Sequence, residues 1–193
     1  TDLSGADLSY TVLYKANLAN TDFTHANLSY ANLCGATNPV VKGISGHLWP
    51  GGTYHETRYI IFDFTGTDMS YADFDHAQMQ YVVLTDAIVT HTNFHDANLE
   101  GVDLSYKDLT GTILTETNLT DANLTGVDLS GKDLTGTILK GADLTGANLD
   151  GVDLSGKDLT GTILKGADLS GKDLTGTILK GADLTDVVLP NDY

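Results

Sequence analysis

From Gly131 to Leu144 the chain reads GKDLTGTILKGADL, and the same stretch returns at Gly156–Leu169 and Gly171–Leu184. Within it leucine recurs every fifth residue, at Leu134, Leu139 and Leu144. Working outward, that spacing is unbroken from Leu99 to Leu189. Towards the N-terminus the same position is held by Phe94, Val89, Leu84, Met79, Phe74, Met69 and Phe64, and a second run carries Leu3, Leu8, Leu13, Leu18, Phe23, Leu28 and Leu33. Two residues before most centres stands a small or β-branched residue, such as Ala26, Ala97, Thr112 or Ala142, and one residue before is usually Asp or Asn.

A period of five matches neither an α-helix nor a long strand of period two. It matches a short extended stretch followed by a tight turn. Alternation in the stretch sends the small residue and the leucine to one side and the intervening Asp to the other. The turn then falls on units such as Leu134-Thr135-Gly136-Thr137, with glycine where a type II turn requires a positive φ. Four such corners close a square, and stacked squares pile the leucines into one core that no single repeat could build.

The A(D/N)LXX pattern resembles the pentapeptide-repeat family, whose members form right-handed quadrilateral parallel β-helices. The resemblance covers all but the segment from about Gly35 to Ile61. It implies an all-β solenoid of about eight coils, about 40 Å long at the usual strand spacing. Residues 1–193 read as one β-helical domain, with N-terminal coils at 1–35, an interrupting loop at 36–61 and main coils at 62–189.

Acids outnumber Lys and Arg by 26 to 10, for a formal net charge of −16. Such a surface repels phosphates and anionic membranes, so direct nucleic-acid binding and membrane association are not expected, and a protein is the expected partner. No segment approaches the ~20 apolar residues of a membrane span. No signal peptide is visible, which favours the cytoplasm; a removed leader would instead fit the periplasm or a thylakoid lumen. The single Cys34 excludes an intramolecular disulfide. The expected oligomeric state is a monomer, or a weak dimer formed by end-to-end stacking.

Residues 20 apart should share a face. One face then carries Asp63, Asp103, Asp143 and Asp183; a second Asp68, Asp108, Asp128 and Asp168; a third Asp73, Asp133, Asp153 and Asp173. The fourth, with Gln78, Asn98, Asn118, Ile138, Asp158 and Ile178, is weakly charged and partly apolar. A run such as Asp133, Asp153 and Asp173 is the candidate acidic face. Over the whole rod the net charge works out near one per roughly 2.5 Å, the same order as DNA with one negative charge per about 1.7 Å. The Qnr-like members of the family, which protect gyrase from quinolones, are proposed to act by such mimicry. Against a built site, the three copies of the 14-residue block lie at offsets of 25 and 15 residues, so each copy is rotated by one face relative to the last. Lys107, Lys132, Lys157 and Lys172 occupy the inward position, where a lone ammonium is costly unless it snorkels to a carbonyl or to solvent.

Among the histidines, Asp75-His76 precedes His95-Asp96 by one coil, so His76 should stack on Asp96 and Asp75 on His95. These four are the candidate metal ligands, since carboxylate and imidazole together suit zinc or a similar ion; the alternative is exposed ion pairs of little energy. His91 stands alone in this reading, and His25, His47 and His55 have no repeat-defined partner. No nucleophile elbow, phosphate-binding loop or HExxH motif is present, so no enzyme and no cofactor is expected.

Between Leu33 and Phe64 the spacing is six repeats plus one residue, and the frame slips. The interruption holds Trp49, Tyr54, Arg58 and Tyr59, residue types enriched in binding hot spots, and is the candidate partner-binding loop. Its Trp49-Pro50-Gly51-Gly52 stretch is similar to WP-containing inserts of cyanobacterial family members. The expected function is a non-enzymatic structural or protein-interaction module. The alternative is a DNA-mimicking modulator of gyrase or topoisomerase.

Overall fold

The structure, a computed structural model, describes residues 1–13, 18, 21–31 and 64–190. Most five-residue units make one β-bridge position and one turn. In the first, the Leu3 carbonyl accepts a hydrogen bond from the Ala6 N–H at 3.0 Å, and only the third turn residue, Gly5, has positive φ (66°). That combination defines a type II turn. The preceding Asp or Asn supports the same turn: Asp2 Oδ1 accepts from the Ser4 N–H at 2.9 Å, and Asn98 Oδ1 from the Glu100 N–H at 3.1 Å. Asp and Asn alternate freely at this position because both offer that acceptor.

The bridges are parallel and join residues 20 apart, as in Asp73↔Asn93↔Ile113 and Asp103↔Asn123↔Asp143↔Ile163↔Asp183. Four units therefore close one coil, and each column of bridge residues runs along one side of a β-helix. At the interruption Asp22 pairs with Asp68 and Asn27 with Asp73, 46 positions apart rather than 20. The apparent slip of frame is thus absorbed by the inserted chain, and the columns continue in register across it. Phe64 resumes the column of Leu18, where the Thr67 hydroxyl reaches the Leu18 carbonyl at 3.0 Å.

From Leu18 to Leu174 the described centres form one buried stack, with Leu3, Leu8, Leu13, Leu179 and Leu184 partly buried at the ends. In the N-terminal coils it is built of Phe23, Phe64, Phe74 and Phe94 with Met69 and Met79, all fully buried. Phe64 and Phe74 meet edge to face at 6.3 Å between ring centres, a favoured aromatic geometry. From Leu99 onward the stack is leucine alone. Buried threonines two residues before the centre bond to the coil above: Thr112 Oγ1 donates to the Val89 carbonyl at 2.9 Å and Thr137 Oγ1 to the Leu114 carbonyl at 2.7 Å.

The four inward-register lysines follow the same rule with a longer arm. Lys157 Nζ donates to the Leu134 carbonyl at 2.6 Å, and Lys132 Nζ to the Thr112 carbonyl at 3.1 Å. Lys107 reaches the Ala87 carbonyl, and Lys172 those of Leu149 and Val152. Carbonyls such as those of Ala72 and Ala97 accept the ladder N–H of the next coil, from Asn93 and Asn118. At Ala87, Thr112 and Val152 the ammonium stands where that N–H would bond, and Asp108, Asp133 and Asp173 form no bridge. Desolvation pulls the Lys107, Lys132 and Lys157 ammonium groups below the usual lysine range, with neighbouring aspartates opposing it.

Candidate functional site

Asp133, Asp153 and Asp173 do lie in successive coils of one column, and all three are exposed. Their carboxylates are partly committed: each Oδ1 accepts from the N–H two residues on, at 2.8–2.9 Å. Hydrogen bonds from Thr135, Ser155 and Thr175 hold them below the usual carboxylate range. The expected division into three acidic faces and one blander face does not survive the full columns. Ile88 follows Asp68, Ile113 lies below Asn93, Ile163 separates Asp143 from Asp183, and Ile138 follows Asn118. Each of these isoleucines is exposed. The cause is a 25-residue recurrence laid on a 20-residue coil, which carries Ile88, Ile113, Ile138, Ile163 and Val188 one face further at every step.

The Asp75, His76, His95 and Asp96 corner assembles only in part. His76 Nε2 lies 3.0 Å from Asp96 Oδ2, the expected stacking, and His76 Nδ1 lies 2.7 Å from Asp75 Oδ1. His95 turns away: its Nδ1 is 2.8 Å from the Thr115 hydroxyl. His76 and His95 stand edge to face at 5.9 Å. The four groups thus form a chain of contacts rather than converging on a point, and no three His, Cys, Asp or Glu side chains gather as metal ligands among the described residues. Trp49, Tyr54, Arg58 and Tyr59, with His47, His55 and Cys34, lie outside the described residues.

The feature that sequence reasoning missed is at the corners. Two columns of rings run along adjacent edges of the N-terminal coils. Along one, Tyr10 stacks on Tyr30 at 4.8 Å and Tyr30 on His76 at 4.4 Å. Along the other, His25 stacks on Tyr71 at 5.0 Å and Tyr71 on His91 at 4.6 Å. His25 and His91, expected to lack partners, therefore share one stack. The signal was available: all six rings sit two residues after a centre, and within each column they recur at the coil register. Every one has positive φ, between 56° and 60°. For a bulky residue that conformation is uncommon and strained. Next to the Tyr30 ring, desolvation and then Tyr10, Asp75 and Asp96 raise its phenol above the ordinary tyrosine range.

The fold and these faces define a solenoid whose interior is filled and whose corner residues point outward. The chain matches the pentapeptide-repeat family in eight copies, over residues 1–37, 63–96, 92–131, 117–156, 133–166 and 158–189, and it belongs to that family. Among solved structures it is similar to HetL, a pentapeptide repeat protein involved in heterocyst differentiation regulation in the cyanobacterium Nostoc sp. strain PCC 7120. The two are 27% identical with a TM-score of 0.56, over 100% of this chain and 86% of HetL. A pentapeptide repeat protein from the Arabidopsis thaliana thylakoid lumen is 21% identical over 76% of this chain and 70% of its own, with a TM-score of 0.34. Full-length QnrB1, a plasmid-mediated fluoroquinolone resistance protein, is 18% identical over 99% and 92%, with a TM-score of 0.31. No curated protein matches. Among the described residues no helix is long and apolar enough to cross a membrane.

Proposed function

We propose that this chain is a non-enzymatic protein-interaction module: a single right-handed β-helical domain of about eight coils that presents fixed side chains to a protein partner. The observation that carries the reading is the division of labour within the repeat. Centres and the residues two before them are committed to the core, and Asp or Asn to the turn. Sequence freedom is left at the corners and in the interruption, where Trp49, Tyr54, Arg58 and Tyr59 provide hot-spot residue types. Affinity capture with the wild-type chain and with Trp49→Ala/Arg58→Ala, followed by pairwise reconstitution from purified proteins, tests it. The expected result is a partner held with a Kd below about 10 µM and lost with the double variant. A reconstitution in which no protein binds overturns the reading.

A second reading is DNA mimicry directed at a gyrase or topoisomerase. It is favoured by the uninterrupted Asp133, Asp153 and Asp173 run and opposed by the isoleucines that interrupt the other columns. A gyrase supercoiling assay with and without ciprofloxacin decides it, and no change at micromolar protein sinks it.

A further inference from the structure

The two ring columns border a single face of the N-terminal coils. Its floor is the column Asp7, Asn27, Asp73 and Asn93, laced by hydrogen bonds from Asn27 Nδ2 to Asp7 Oδ1 at 3.2 Å and from Asn93 Nδ2 to Asp73 Oδ1 at 2.9 Å. The rings are not needed to turn the corner, because glycine makes the same turn at Gly131, Gly151 and Gly171 further along the second column. Six strained rings, five of them exposed and His76 half-buried, stand instead at two edges of one face, and strain of that kind clusters where a surface is used.

Charge indicates the occupant. Among the described residues no Lys or Arg occurs before Lys107, while acids run from Asp2 to Asp103. A nucleic acid or a second copy of this acidic face would be repelled. Because the rings spend their faces on each other, they offer solvent mainly edges and tyrosine hydroxyls, which accept hydrogen bonds together with the floor carboxylates and carboxamide oxygens. A guanidinium, with five donors in one plane, matches such a floor better than a compact ammonium.

We propose that this ring-bordered face is a docking site for an extended, arginine-rich segment of another protein. The assignment rests on the interaction-module reading and names one of its surfaces. Fluorescence anisotropy of fluorescein-labelled nona-arginine with the purified full chain at about 150 mM salt, where long-range attraction is screened, tests it. Tyr30→Gly/Tyr71→Gly leaves the charge unchanged and should weaken binding about tenfold, the scale of losing well-placed aromatic contacts. Asp73→Asn, which keeps the turn-supporting Oδ1, should also weaken it. Asp143→Asn/Asp183→Asn removes two charges from another face and should change it less than about twofold. Equal loss in that control, or wild-type binding by both Tyr30→Gly/Tyr71→Gly and Asp73→Asn, overturns the docking face. If a native partner bound through Trp49 and Arg58 is found while nona-arginine ignores the rings, the docking face alone fails and the module reading stands.

Discussion

The N-terminal coils, up to Tyr106, and the coils from Lys107 onward use one repeat in two ways. In the first region the core is mixed Phe, Met and Leu, the corners carry Tyr and His, and the described residues hold no Lys or Arg. In the second the core is leucine, most corners are glycine, and the inward lysines displace ladder bonds. The bridge register and the type II corner are common to both. What they share is therefore what the backbone demands, and what distinguishes them lies at positions the backbone leaves open. Regular, nearly identical repeats extend the rod, whereas the irregular region holds the candidate surface.

The contrast in cores gives the largest expected effect. Phe74→Ala removes a ring lodged between Phe64 and Phe94 and should cost about 3–5 kcal/mol, against about 2–5 for Leu154→Ala. Urea denaturation of the two variants compares them, and a smaller loss at Phe74 would break the idea that the aromatic core anchors the N-terminal coils. At the corners, a Cβ on Gly111 would overlap the His91 ring, on top of the strain of its positive φ. Gly111→Ala should therefore destabilise by about 1–3 kcal/mol. Adding His91→Gly should recover part of the loss in a thermal melt; no recovery would mean that the ring yields freely.

A gain is expected at the lysines. Lys132→Thr supplies the short hydroxyl used by Thr112 and Thr137, removes a desolvated ammonium and frees the Thr112 carbonyl for the Asp133 N–H. Stability should rise by about 1 kcal/mol, with new protection of the Asp133 amide in hydrogen exchange. An unprotected amide would show that lysine is not what opens the ladder. The smallest effect concerns acid. Asp133, Asp153 and Asp168 have lowered carboxyl pKa values through hydrogen bonds to Ser and Thr. Their contribution is present above the unfolded value of about 3.8 and is lost as pH falls through the lower folded values. Asp168→Asn should flatten the fall in Tm between about pH 4 and pH 2 while leaving Tm at neutral pH nearly unchanged. An identical acid profile would mean that this hydrogen bond adds nothing.

Much of the fold was legible in advance because its cause is local. A period of five, with leucine at the centre and glycine at the third turn position, admits little besides a stacked square. The His76–Asp96 contact followed from the 20-residue register alone. Other features were harder to read because they depend on how neighbouring coils pack. The sequence placed Lys132 inward but could not say that its ammonium would take the place of a ladder N–H. It offered His25 as an isolated residue, since Tyr71 meets it only once the interruption proves to leave the columns in register, whereas the Tyr71–His91 stack lies at the 20-residue spacing and was overlooked.

By itself, then, the sequence determined the repeat, the filled interior and the outward acids, because hydrophobic periodicity and turn chemistry act within a few residues. Only the tertiary structure decided which corners align. Stacking across coils set the two ring columns against one acidic face, where the rings' own strain is offset by contact with rings 20 or more residues away.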